Sequence, residues 1–109
     1  MRAVEATVAS HKRQATMEIE FEWDSEKAKN NLRRHKVSFQ EAATIFYDPF
    51  VATRFDPDHS EDEERYVSIG ISIKSHLLVV AHTERGRRTR IISSRIATAR
   101  ERRIYEESK

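Results

Sequence analysis

Two sets of side chains in this sequence carry the chemistry needed at a phosphodiester. Eight arginines lie between Arg85 and Arg103 against one acid, Glu101, and arginine outnumbers lysine fourteen to six. A guanidinium presents a planar fork that binds phosphate oxygens in pairs, so an arginine-rich stretch is a candidate polyanion site. The second set is Lys27, Asn31 and His35. The first two share a helix face at a spacing of four, and an imidazole titrates near neutrality. Cleavage at a phosphodiester needs a base for the attacking oxygen, an acid for the leaving oxygen, and cations on the phosphate. On this reading Lys27, His35, Arg65, Arg90 and Arg95 are the candidate catalytic residues, and Asn31, Arg100, Glu101 and Tyr105 the candidate substrate contacts.

Each residue also has a plainer role. His35 at a helix end can answer the dipole and the last carbonyls. Lys27 can pair with Asp24 or Asn31, and Arg65 with Glu63. Arg90 and Arg95 flank the two ends of an expected strand, and Arg100 follows Arg95 by about a helical turn. Glu101 has the spacing of a helix cap, and Tyr105 can pack its helix onto a sheet or stack on a base. Ser93 and Trp23 read as structural. The arginines can equally serve a protein partner. The acidic run from Asp56 to Glu64, with six acids and no base, can guide such a partner or simply be solvated.

Composition narrows the classes. The 109 residues fit one domain, 38% hydrophobic and 35% charged, polar enough that some of the charge serves a ligand or partner. The chain has no cysteine, which removes disulfides, thiolate nucleophiles and cysteine-based zinc sites. The histidines stand apart, with no H-E-x-x-H or similar spacing, so no metal or organic cofactor is expected. No apolar run approaches a membrane span and the N-terminus has no continuous apolar stretch, so a cytoplasmic protein is expected.

The elements that must position these residues follow from local pattern. Residues 1–16 lack periodicity and read as a flexible extension to a domain over 17–109. From Glu18 to Trp23 polar and apolar residues alternate, as in a half-buried strand. Asp24 caps a helix over Ser25–His35. Ser38 and Glu41 have capping-box spacing for a short helix that runs to about Phe46 and is stopped at Asp48-Pro49. Strands are expected over Phe50–Phe55, Arg65–Ile73, Leu77–Thr83 and Thr89–Ser93, then a helix from Thr98 to about Glu107. The order β-α-α-β-β-β-β-α predicts an α+β fold, a mainly antiparallel sheet with helices packed against it.

Two stretches resemble the signature of the BrnT toxin family. One is Phe21-Glu22-Trp23-Asp24-x-x-Lys27-x-x-x-Asn31-x-x-Arg34-His35-x-Val37-Ser38-Phe39-x-x-Ala42. The other is Arg90-Ile91-Ile92-Ser93-x-Arg95-x-Ala97-Thr98-x-Arg100-Glu101-x-x-x-Tyr105. Glu64-Arg65-Tyr66-x-x-Ile69-Gly70 and Leu77-Leu78-Val79-Val80 fall between them in the expected order, so the likeness spans roughly Glu18 to Glu106. Lys36 stands where the family usually has glycine, and Arg34 where it often has lysine. The resemblance implies a RelE-like fold, metal-free RNA cleavage and silencing by a BrnA-like, ribbon-helix-helix antitoxin in a hetero-oligomer. It also implies operator DNA contacted only through that antitoxin. A non-catalytic nucleic-acid-binding or protein-interaction module remains the alternative.

Overall fold

Alternating polar and apolar residues in the strands, with sharp helix caps between them, produce one sheet carrying helices. The computed structural model describes residues 19–109. The expected N-terminal extension and the first residues of the expected domain lie outside that range. The elements are β1 (Glu20–Glu22), α1 (Ser25–His35), α2 (Phe39–Ala43), β2 (Ala52–Phe55), β3 (Arg65–Ile71), β4 (Leu77–Arg85), β5 (Arg88–Ile96) and α3 (Ala99–Glu107). This is the α+β order expected from the sequence. The sheet runs β1-β5-β4-β3-β2, antiparallel except for the parallel β1–β5 pair.

Helix α1 starts where Asp24 accepts from the Glu26 amide, and it ends at Lys36, which takes the left-handed conformation at φ 61°. A non-glycine residue there costs about 1–2 kcal/mol relative to the right-handed region. Ser38 caps α2 as expected, but Glu41 does not reach back to complete a capping box. Its buried carboxylate instead accepts from the Ser72 hydroxyl at 2.6 Å and meets the His76 ring at 2.7 Å. The expected helix to Phe46 therefore divides into α2 and a 3-10 turn over Thr44–Tyr47. Thr98 and Glu101 do form the full box at the start of α3.

The core lies on the sheet face covered by α1 and α2, where Phe21, Trp23, Phe39, Ile45, Val80 and Ile91 are almost wholly buried. Helix α3 lies across the other face and leaves much of it open. A bulge interrupts the β4–β5 ladder: Ala81 pairs with Ser93 and His82 with Ile91, so Ile92 has no opposite residue. The extra residue resets the alternation. Ile91 and Ser94 consequently both turn to the core, and Arg90, Ser93 and Arg95 all to the open face.

Candidate active site

On the open face, strand register brings together arginines far apart in sequence. Arg65 of β3 stands opposite Thr83 of β4, which stands opposite Arg90 of β5, and Glu22 of β1 is next in line. Two strand spacings, about 10 Å, separate the Arg65 and Arg90 backbones, so their side chains can reach one phosphate between them. Arg65 is half-buried and forms no ion pair among the described residues. Glu63, its expected local partner, pairs with Arg85 at 3.2 Å. Arg90 is 11% exposed and donates to Glu22 at 2.8 Å, with Arg88 on the other carboxylate oxygen at 3.5 Å. Burial disfavours the Glu22 charge, yet the hydrogen bonds from Arg90 and Arg88 outweigh it and hold the carboxyl below its usual range. Glu22 thus orients Arg90 and offsets part of the local positive charge.

Arg95 does not sit beyond the end of a strand but within β5, on the same face, farther along. It grips Glu101 through two parallel hydrogen bonds of 2.8 and 2.9 Å. Glu101 also accepts from the Thr98 amide at 2.8 Å. These contacts, the Arg95 hydrogen bond foremost, hold its pKa at about 2. A carboxylate held so low is a weak proton acceptor, so Glu101 orients Arg95 and caps α3. Arg100 is exposed in the first turn of α3. Tyr105 is 2% exposed and donates to Asp48 at 2.6 Å. Burial, then the Asp48 carboxylate, push its pKa up to about 12. Tyr105 thus packs and tethers α3, with no face free for a base.

Lys27 and His35 occupy a separate cleft of about 250 Å³ between α1 and the edge of β5, floored by Ile92 and Ser93. β1 pairs only with Arg88–Arg90, so the β5 edge beyond it would be bare. Asn31 takes the place of a neighbouring strand. Its Nδ2 donates to the Ser94 carbonyl at 2.8 Å and to the Val37 carbonyl at 3.0 Å, and its Oδ1 accepts from the Ser94 amide at 3.1 Å. Asn31 is 7% exposed, and its polar atoms are engaged in joining α1 to the sheet. Lys27 is exposed and His35 half-buried beside it.

The five catalytic candidates therefore form two neighbouring groups rather than one pocket. None of Arg65, Arg90 or Arg95 lines the α1 cleft. Ser93 connects the two, because it lines that cleft and lies on β5 between Arg90 and Arg95. Sequence reasoning missed Glu22, Thr83 and Asp48. The alternation around Phe21 placed Glu22 opposite the core, but only the parallel register reveals the arginines beside it. Among the described residues, no three His, Asp or Glu side chains are grouped as a metal ion needs. Nor is any helix there long and apolar enough to cross a membrane.

A comparison with curated proteins finds no match. Among solved structures, the chain is similar to the 1.1 Å crystal structure of the Brucella abortus ribonuclease toxin BrnT. The TM-score is 0.51 at 22% identity, covering 70% of this chain and 92% of that one, a likeness of fold. The family model described as the ribonuclease toxin BrnT of a type II toxin–antitoxin system matches residues 23–101, from Trp23 through α3's capping box. The chain belongs to the BrnT family of ribonuclease toxins of type II toxin–antitoxin systems.

Proposed function

We propose that this toxin cleaves RNA by attack of a substrate 2′-hydroxyl on the adjacent phosphate, with no metal or organic cofactor. The observation that carries the reading is the Arg65–Thr83–Arg90 row, two cations on either side of a buried threonine on the sheet face away from α1 and α2. The scissile phosphate lies at the surface between the two guanidinium groups. Arg65 and Arg90 take its non-bridging oxygens and stabilise the extra charge of the transition state, the role a metal has elsewhere. Glu22 holds Arg90 in place, and Arg95 and Arg100 extend the basic track for flanking phosphates. Lys27 and His35 belong to the separate cleft between α1 and the β5 edge, beyond Ser93 from the Arg65–Thr83–Arg90 row, and hold the backbone of the RNA where it crosses that edge.

The type II family implies an antitoxin partner. We infer a BrnA-like, ribbon-helix-helix protein that covers the basic face in a hetero-oligomer and carries the complex to operator DNA, all within the cytoplasm. The test incubates the purified toxin with RNA in EDTA and maps the product ends. Cleavage should persist and leave 2′,3′-cyclic phosphates, and Arg65→Ala or Arg90→Ala should each slow it by about 10²–10³-fold. Products only after added divalent metal would overturn the metal-free step. Saturable binding without products would make the chain a nucleic-acid-binding module instead.

A further inference from the structure

A helix laid on a sheet ordinarily fills the space beneath it with its own apolar side chains. Helix α3 does not: its sequence, ARERRIYEE, supplies Tyr105, wholly buried, and Ile104, which stays 55% exposed. A groove of about 430 Å³ is left between α3 and strands β2–β4. Ala52, Val67, Ile69 and Val79 floor it, Ile104 forms a wall, and Arg54 and Arg100 stand at the rim. Both rim arginines are exposed and form no ion pair among the described residues.

We propose that this groove is the docking surface for the antitoxin, which inserts one acidic amphipathic segment with aliphatic side chains on the floor and carboxylates on Arg54 and Arg100. The identity of the occupant as an antitoxin rests on the toxin reading above; the chemistry of the segment rests on the groove. Among the described residues its floor is aliphatic and no aromatic residue lines it, so it offers RNA no stacking surface; Glu101, which also lines it, is already paired with Arg95 and leaves Arg54 and Arg100 as the free charges. A second copy of this chain fits poorly. The acidic stretch Asp56–Glu64 carries no aliphatic residue to insert, and α3, with three arginines and three glutamates, has no acidic excess to meet the rim. An acidic segment with aliphatic anchors satisfies both the floor and the rim.

The position gives inhibition a mechanism. Arg54 lies in register with Val67, Ala81 and Ser93, the row immediately beside Arg65–Thr83–Arg90. Two residues along a strand is about 7 Å, so a segment seated in the groove abuts the phosphate site, sharing with the RNA track only Arg100 and using neither Arg65 nor Arg90. Antitoxin binding and RNA cleavage are therefore separable by mutation.

The experiment measures antitoxin binding by calorimetry, and RNA cleavage with and without antitoxin, for wild type, Ile104→Glu, Ile104→Ser and Arg54→Glu. The cognate antitoxin purified from the co-expressed pair is the probe, and thermal melts confirm the fold of each variant. Ile104→Glu should weaken binding about ten- to hundredfold, as loss of a central anchor does. Arg54→Glu should weaken it less and in a salt-dependent way, while free toxin variants cut RNA like wild type. Unchanged affinity in folded Ile104→Glu and Ile104→Ser would overturn the proposal. So would loss of cleavage in the folded variants, which would give the groove to RNA, or a wild-type dimer that Ile104→Glu dissociates. The calorimetric arm reads docking even if the toxin cuts no RNA, so failure of the catalytic reading leaves a distinct signature.

Discussion

Replacing Asn31 tests whether the link between α1 and the sheet is structural, and its size can be worked out from three hydrogen bonds. Asn31→Ala strands the Ser94 amide, the Ser94 carbonyl and the Val37 carbonyl, each now satisfied by the side chain at 2.8–3.1 Å. An intramolecular hydrogen bond contributes about 1 kcal/mol net, and a buried group left alone costs about 1–3 kcal/mol. Water entering along the exposed β5 edge will recover part of this. The expected loss is about 3 kcal/mol, a large share of the roughly 5–15 kcal/mol that stabilises a domain. For a domain of this size it lowers Tm by about 12–20 °C. Trp23, the sole tryptophan, is 2% exposed and meets the Phe39 ring edge-on, so its fluorescence reports urea unfolding directly. Asn31→Asp sharpens the test, because it keeps the shape but points carboxylate oxygens at two carbonyl oxygens. It should cost at least as much as alanine. A loss below about 1 kcal/mol for alanine, or a milder effect for aspartate, would refute the reasoning.

Three further outcomes are expected. Lys36→Gly relieves the left-handed residue closing α1 and should raise stability by about 1 kcal/mol in the same urea assay. Glu101 has a folded-state pKa of about 2 against an ordinary 4.5, so its contribution is full above pH 4.5 and lost as pH falls toward 2. Glu101→Gln should therefore flatten the acid limb of a stability–pH profile in that window and leave its slope near neutrality unchanged. Arg65→Ala should also lower the salt dependence of RNA affinity, by a log–log slope of about 0.7, because one phosphate contact is lost. An unaltered slope would place Arg65 away from the backbone.

The helices were legible where side chains cap them. Asp24 and Thr98 begin α1 and α3 because their oxygens satisfy amides two or three residues on, an interaction written within four residues. The same logic half succeeded at Ser38, since Glu41 found buried partners in Ser72 and His76, more than thirty residues away. Strand ends were less legible: β5 extends to Ile96 because Leu77 and Leu78 offer partners there. The arginines were correctly flagged as unusual by number, but their grouping depends on register. Counting by two along a regular strand would set Arg90 and Arg95, five residues apart, on opposite faces. Asn31 shared a helix face with Lys27, as its spacing requires, but the spacing could not tell that it would be spent on the backbone of β5.

The unpaired Ile92 makes parity, rather than distance, the constraint on this part of the molecule. With one residue fewer between Arg90 and Arg95, the two strands could form a plain ladder and still present both cations to the same side. At the present length, a variant that lost the irregularity would turn one of them inward. Shortening here is thus compatible with the layout, whereas regularising without shortening is not.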